Sequence, residues 1–298
     1  MGGECKGSTT YAMDSTLVWD RVWTIRASPS NSPCTTMRAL ALVSAVLLSF
    51  SSLVQGQQSR TLLVVAAHAD DEGPIGPLLA RYAREGAQVH LLVVTDGAQG
   101  SVNAGVPPGP ELAQLRVEEA QCAANALGLQ PPIFLGFPDG RLGDYTSDPT
   151  LLYRATARLA QELERLRPDA ILTWGPDGGM GHPDHRIVSN LVTQLARAGA
   201  PGATRRLYYI YIPAEGFRAL YPERGVPPLL LPEASYLTVQ VAFEPQDFTA
   251  ARRATACHQT QFTGDMMERM LAAMERGMNG VVTLTSAFDT TQRRDLFE

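Results

Sequence analysis

Imidazole and carboxylate side chains follow one apolar run directly. The run covers residues 62–67, and His68, Asp70 and Asp71 come immediately after it. An unbroken apolar run without polar alternation indicates a parallel strand that is buried on both faces. Ligands of open α/β sheets bind at the carboxyl ends of the strands. Nitrogen and oxygen ligands at this position therefore favour a metal site.

A second group, His182 and His185, follows another apolar run at residues 170–174. If both runs are strands of one sheet, two histidines and one carboxylate can meet and leave positions for water and substrate. The spacing does not choose between Asp70 and Asp71, or between the two later histidines. The competing interpretation is that all these groups only cap helices that begin nearby.

The elements that would position these groups alternate along the chain. The predicted strands cover residues 62–67, 89–94, 133–137, 170–174, 207–212 and 237–241. The predicted helices cover residues 75–85, 110–127, 149–166, 183–198, 248–258 and 264–278. Repeated strand–helix alternation predicts an α/β fold, a doubly wound, mostly parallel, Rossmann-like sheet with helices on both faces.

Charge and composition exclude several classes of protein. The formal net charge is -5, whereas a nucleic-acid partner would require a basic surface. The only lysine is Lys6, which excludes a lysine Schiff base and a phosphate-loop lysine from the folded part. No glycine fingerprint follows the first strand, which disfavours a dinucleotide site. The expected partner is a small molecule or a glycan, and the oligomeric state stays open.

The N-terminal part has the pattern of an export signal. Arg38 precedes an apolar run at residues 39–54, and Gly56 offers a cleavage site. Residues 37–56 are therefore predicted to be a signal peptide, which implies a secreted or periplasmic protein. The run is shorter than a membrane span requires, so no stable span is expected after cleavage; an N-terminal membrane anchor is the alternative.

The domain organisation follows from this signal. Residues 1–36 show no periodic pattern, and a signal peptide normally begins a chain, so we expect a non-native upstream extension and a true start at Met37. Residues 57–298 would then form a single catalytic domain.

Two of the four cysteines, Cys122 and Cys257, lie in predicted helices. They are expected to be small buried apolar side chains. A disulfide between them is possible, but their spacing does not reveal it.

Four ordered motifs resemble the PIG-L/LmbE family of metal-dependent N-deacetylases. They are Ala-His-Ala-Asp-Asp-Glu at 67–72, Thr-Asp-Gly-Ala-Gln-Gly at 95–100, Arg116 with Glu119, and His-Pro-Asp-His at 182–185. The resemblance extends from about residue 61 to the end and includes Cys-His-Gln-Thr-Gln at 257–261.

The resemblance implies the roles of the central residues. His68, Asp71 and His185 would hold the metal, usually Zn²⁺, with Fe²⁺ or another divalent ion possible. Asp70 would be the general base. Bound zinc lowers the pKa of its water to about 7, so a neighbouring carboxylate can take the proton.

Further roles also come from the resemblance. His182, oriented by Asp184, would act as an acid or stabilise the oxyanion. Arg116, His258 and Asp96 would bind substrate.

Each of these substrate-binding residues has a simpler interpretation. Arg116 could pair with Glu119 one helical turn later. His258 could be a helix-end histidine, and Asp96 could brace the loop beside the metal. Glu72 is expected to cap the following helix by its charge.

Two positions depart from the family. Ala69 stands where the family usually has proline, and Met180 stands where some members have a tyrosine that assists the oxyanion. The electrophilic role would therefore rest on His182 or on another group.

The predicted function is removal of acetyl from an N-acetylated sugar of the N-acetylglucosamine type. The alternatives are a secreted metal-dependent amidase on a non-acetyl amide and a non-catalytic glycan-binding module. Export favours envelope or extracellular glycans as substrates.

Overall fold

The computed structural model describes residues 59–100, 105–144, 146–179, 181–213, 218 and 232–298. The predictions for residues 1–36, the signal peptide at 37–56 and Met180 lie outside these residues. Within them, none of the helices has the length and apolar character of a membrane span.

Seven strands of the described chain form one sheet. They are β1 (Thr61–Ala66), β2 (Gln88–Thr95), β3 (Ile133–Phe137), β4 (Ala170–Trp174), β5 (Leu207–Ile210), β6 (Val239–Ala242) and β7 (Val281–Ser286). Their order in space is β3-β2-β1-β4-β5-β7-β6. The first five pair in parallel, and β7 runs antiparallel to both of its neighbours. The prediction of a mostly parallel sheet is confirmed.

Helices cover both faces of this sheet, as predicted. They are α1 (Gly76–Arg84), α2 (Pro110–Leu127), α3 (Leu151–Leu166), α4 (Pro183–Ala198), α5 (Pro245–Thr255) and α6 (Gly264–Met278). Alternate residues of β1 point to opposite cores because side chains alternate along a strand. Leu62 and Val64 pack in the core with α1, α2 and α5, whereas Leu63 and Val65 pack in the core with α3 and α4.

The order of the strands creates the crevice that holds the site. The chain adds β2 and β3 on one side of β1 and then returns to place β4 and β5 on the other side. In β1 and β4, Val65 lies beside Thr173, so the two carboxyl ends are neighbours. Such a switch point is where open α/β sheets bind ligands.

The C-terminal part differs most from the sequence prediction. Strand β7 was not predicted, because its residues alternate between buried and half-buried and form no long apolar run. The helix predicted at 248–258 begins earlier, at Pro245, and ends at Thr255. A capping box of Glu244 and Asp247 sets this beginning. Because the helix ends at Thr255, His258 lies beyond it.

Candidate metal centre and active site

Asp71 is held by the backbone of the strand end that precedes it. One carboxylate oxygen, Oδ2, accepts hydrogen bonds from the amides of Ala67 at 2.7 Å and His68 at 2.9 Å. Burial raises the pKa of Asp71, but His185 and His68 outweigh this effect and hold the pKa well below its usual range. The side chain is therefore an oriented carboxylate with Oδ1 directed at the histidines.

Three ligand atoms from two strand ends face one another. His68 Nδ1 lies 3.0 Å from His185 Nε2, and Asp71 Oδ1 lies 3.1 Å from His185 Nε2 and 3.8 Å from His68 Nδ1. Ligand atoms of a tetrahedral zinc site, with bonds of about 2.1 Å, lie about 3.4 Å apart. The spacing and the chemistry of these three side chains fit a divalent metal.

His185 is held from two sides at the start of α4. Its Nδ1 lies 3.1 Å from the carbonyl oxygen of Gly178, and its ring stacks on Trp174 with 4.4 Å between centroids and 3° between planes. Because a carbonyl oxygen can only accept, Nδ1 carries the hydrogen and the Nε2 lone pair faces the site.

Carboxylates face the other nitrogen of His68. Its Nε2 lies 3.1 Å from Asp139 Oδ1 and 3.5 Å from Asp184 Oδ2. Burial lowers the pKa of His68, but these carboxylates outweigh burial and raise it well above its usual value. A carboxylate behind a metal-binding histidine fixes its ring and its tautomer.

Sequence reasoning missed Asp139. It is buried and follows β3, the third strand that ends at this edge of the sheet. Its signal in the sequence is an acidic residue just after a predicted strand, as with Asp70 and Asp71 after β1.

His182 stands at the mouth of the site as the N-cap residue of α4. Its Nδ1 accepts a hydrogen bond from the backbone amide of Asp184 at 3.2 Å, so in the neutral ring Nε2 carries the hydrogen. Burial, followed by coulombic interactions with the neighbouring His68 and His185, lowers its pKa. Its ring centroid lies 4.6 Å from that of His68 and 4.8 Å from that of His185.

Asp184 contacts the loop after β3 as well as His182. Its fully buried carboxylate accepts hydrogen bonds from the amides of Gly140 at 2.8 Å and Leu142 at 3.1 Å. The predicted contact with His182 is made by the backbone amide of Asp184, and the side chain holds the loop that carries Asp139.

Asp70 pairs with Arg116. Arg116 Nη2 donates to Asp70 Oδ1 at 2.7 Å, and Nη1 lies 3.6 Å from Asp139 Oδ2. The alternative pairing of Arg116 with Glu119 is wrong, because Glu119 accepts hydrogen bonds from Thr260. Asp70 keeps 22% of its side chain exposed, whereas Arg116 keeps 3%. The contact of Arg116 with substrate stays a prediction.

Asp96 braces the loop after β2, which is the simpler of its two predicted roles. Its Oδ1 accepts hydrogen bonds from the amides of Ala98 at 3.0 Å and Asp139 at 3.1 Å. The same residue lines a cavity of about 470 Å³ that also contacts Val117 and Phe134. Its substrate-binding role stays a prediction.

His258 and Glu72 form a buried pair. His258 Nε2 lies 2.7 Å from Glu72 Oε1, and neither side chain is more than 1% exposed. Glu72 is the N-cap residue of the helical turn that follows, but its side chain makes no capping hydrogen bond to that turn. Its predicted capping role, which depends on charge alone, stays a prediction. Burial lowers the pKa of His258, but the charge of Glu72 and its hydrogen bond outweigh burial, and the pKa is raised above its usual value.

Three further residues singled out in the sequence are Cys122, Cys257 and Ala69. Cys122 and Cys257 form a disulfide, so the expectation of two unpaired apolar side chains is wrong. Ala69, where the family usually has proline, is fully buried.

Comparisons with known proteins agree with the geometry. The family of GlcNAc-PI de-N-acetylases, PIG-L, matches residues 63–196. A 1D-myo-inositol 2-acetamido-2-deoxy-alpha-D-glucopyranoside deacetylase from Rhodococcus jostii is 33% identical over an alignment of 250 residues, and the alignment covers 68% of this chain and 82% of the relative.

Two solved structures share the fold. The N,N'-diacetylchitobiose deacetylase from Pyrococcus horikoshii has a TM-score of 0.52 at 18% identity, over 86% of this chain and 93% of that chain. The conserved protein TT1542 from Thermus thermophilus has a TM-score of 0.55 at 25% identity, over 76% of this chain and 94% of that chain. With the motifs and the relative above, these findings show that the chain is an enzyme and belongs to the PIG-L family of metal-dependent N-deacetylases.

Proposed function

We propose that the protein is an exported, zinc-dependent hydrolase that removes the acetyl group from an N-acetylglucosamine-type sugar. The observation that carries the proposal is the trio of facing ligand atoms on His68, Asp71 and His185, with the carboxylate of Asp70 next to Asp71 in the chain. The relatives described above, which are deacetylases of such sugars, support the choice of substrate class.

His68, Asp71 and His185 would hold the metal. When bound, Zn²⁺ supplies a water of lowered pKa and polarises the amide carbonyl, and Fe²⁺ or another divalent ion would suit the same ligands. The Asp139 carboxylate behind His68 and the Gly178 carbonyl behind His185 hold the two rings in place.

Asp70 acts as the general base. Its side chain is partly exposed. Arg116 restrains the carboxylate by a hydrogen bond to one oxygen, Oδ1. The other oxygen can take a proton from the attacking water and later return it to the leaving amine. The paired arginine keeps the carboxylate pointed in one direction through both transfers.

His182 stabilises the developing oxyanion. Since its Nδ1 accepts a backbone hydrogen bond, Nε2 carries the hydrogen and can donate it to the carbonyl oxygen as negative charge develops. Met180 occupies the position of the assisting tyrosine in other members, and a thioether cannot donate a hydrogen bond. The donor role therefore falls on His182.

The sugar would lie beside the loops after β2 and β3. The cavity lined by Asp96, Val117 and Phe134 is of a size that accepts a small sugar. Asp139 lies 3.1 Å from His68 and 3.6 Å from Arg116, so these two residues offer polar groups that can bind hydroxyls near the metal ligands.

The proposal includes export. The signal pattern at residues 37–56 would carry the protein out of the cytoplasm, and envelope or extracellular glycans would be its substrates. The Cys122–Cys257 disulfide supports this location, because disulfides persist in oxidising compartments.

The test is acetate release from N-acetylglucosamine derivatives. We expect turnover with zinc, loss of turnover with a chelator, and recovery when zinc is added back. In Asp70→Asn, we expect kcat to fall about 10²- to 10⁴-fold with the metal retained. The same substitution at Asp169, which lies at the opposite edge of the sheet, should leave kcat unchanged.

Two other outcomes would identify the alternatives. Hydrolysis of a longer-chain amide without hydrolysis of the acetamide would indicate an amidase. Sugar binding of equal strength in the wild type and in Asp70→Asn, without any amide turnover, would indicate a glycan-binding module.

A further inference from the structure

A buried segment after α5 contacts three of the motifs that build the site. We call residues 257–261 the clamp segment. His258, Thr260 and Gln261 of this segment are all buried. The proposed reaction does not use any of them directly, yet they pack beside residues that it does use.

Each buried residue of the clamp segment binds a different part of the chain. His258 Nε2 contacts Glu72 in the loop after β1 at 2.7 Å. The amide and hydroxyl of Thr260 both donate to Glu119 of α2 at 2.7 Å. Gln261 Nε2 donates at 2.7 Å to the carbonyl of Gly100, after β2. The clamp segment therefore joins the metal-binding loop to two other motifs.

A covalent bond fixes the clamp segment at its first residue. Cys257 is bonded to Cys122 of α2, which lies 135 residues earlier in the chain. The preceding helix, α5, also packs closely on the start of α1, because a Cβ at Gly76 would lie 2.9 Å from that of Ala251 in α5. The position of His258 thus depends on the disulfide and on this helix contact.

Glu72, which follows Asp71 in the chain, depends on His258 because its side chain is only 1% exposed. Among the described residues, Glu72 Oε2 has no hydrogen-bond partner, so the contact through Oε1 is the main compensation for the buried charge. A buried carboxylate that loses its partner is strongly destabilised and tends to move towards water. Such a movement would pull on the turn that carries His68 and Asp71.

We propose that His258 is a positioning residue that holds Glu72, and through it the metal-binding turn, and that the Cys122–Cys257 disulfide keeps His258 in place. Reduction of the disulfide would then weaken metal binding. The inference rests on the proposed function only in that His68, Asp71 and His185 are taken as the metal ligands.

The first experiment measures the release of zinc from the zinc-loaded full chain to an excess of chelator, before and after treatment with a trialkylphosphine. The phosphine gives two electrons to the disulfide, two protons complete the two thiols, and the phosphine takes an oxygen from water. Thiol titration should count two additional thiols. We expect release to become about 10-fold faster, the lower end of the effect of residues that support metal ligands.

The matched control is the double variant Cys122→Ser and Cys257→Ser. It should release zinc as fast as the reduced protein, and the phosphine should not change its rate. A phosphine effect of the same size on this variant would show direct removal of metal and would overturn the proposal.

The second experiment distinguishes the effect of the His258 hydrogen bond on zinc release from the effect of the side-chain volume. His258→Gln keeps an N–H donor for Glu72 and should release zinc at nearly the wild-type rate, whereas His258→Leu should release it about 10-fold faster. Unchanged release in His258→Leu, or after complete reduction, would overturn the proposal. Because the readout is metal release, these outcomes stand whether or not an N-acetyl sugar is hydrolysed.

Discussion

His68 presents its two ring nitrogens to different partners. Nδ1 faces Asp71 and His185, and Nε2 faces the carboxylates of Asp139 and Asp184. Because an imidazole can bind a metal through one nitrogen and donate a hydrogen bond through the other, this arrangement suits a ligand whose orientation is fixed from behind.

Removal of the Asp139 carboxylate tests this arrangement. We expect Asp139→Ala to weaken zinc binding about 10- to 100-fold, since the ring of His68 loses its nearest carboxylate. Competition with a chromophoric chelator measures the affinity. Asp144→Ala, in the exposed part of the same loop, is the control and should bind zinc as the wild type does. Equal affinities in both variants would contradict a supporting role for Asp139.

At the scale of elements, α5 is joined to α1 by one buried carboxylate. Asp247 accepts hydrogen bonds from Arg84 at 2.9 and 3.0 Å and from the amide of Glu244 at 2.8 Å. Burial raises the pKa of Asp247, but Arg84 and the Glu244 amide outweigh burial and lower it below its usual value. The pair fixes the helix that leads to the clamp segment.

This lowered pKa predicts a dependence of stability on pH. The ionised carboxylate stabilises the fold fully above about pH 4, the value for an unfolded aspartate, and the contribution is lost as the pH falls through the lower folded value. We expect Asp247→Asn to reduce the free energy of unfolding by about 2 kcal/mol at pH 7, with the difference from wild type shrinking in acid.

Urea unfolding at pH 7 and at pH 3 measures this difference. The control is Glu268→Gln, which removes an exposed ion pair with Arg252 and should change stability by less than about 1 kcal/mol at either pH. A difference for Asp247→Asn that stays constant between the two pH values would contradict the role of its charge.

At the scale of the whole molecule, the sheet brings distant segments to one edge. The ends of β1, β2, β3 and β4 carry the groups of the site, and the clamp segment from the C-terminal part contacts Glu72 beside them in the chain. A disulfide across 135 residues would, in the chain-entropy account, stabilise such a fold by about 2–5 kcal/mol.

Export is the prediction that concerns the whole chain. If residues 37–56 are a cleaved signal, the protein from an export-competent bacterium should begin at Gln57, and its Cys122 and Cys257 should resist alkylation until they are reduced. Intact-mass measurement and N-terminal sequencing of the extracellular or periplasmic fraction test this. Retention of the apolar run in a membrane fraction would favour the anchor, and a full-length cytoplasmic product would contradict export.

Local patterns in the sequence were sufficient to predict the parallel strands of the sheet and the residue types of the site. The uninterrupted apolar run of β1 predicted a strand buried on both faces, and the polar residues after β1 and β4 predicted a shared site at one edge. These features depend on neighbours in the chain, and parallel strands must bring their carboxyl ends to the same edge. The order of the motifs was likewise enough to identify the family.

Only the tertiary structure decided which polar groups are partners. Arg116 is paired with Asp70 instead of Glu119, and Glu72 contacts His258 from a segment that is remote in sequence. The disulfide and strand β7 likewise depend on segments that are remote in sequence. A side chain can reach several partners that its local pattern does not distinguish. The packing of helices on the sheet decides which of them is within hydrogen-bonding distance.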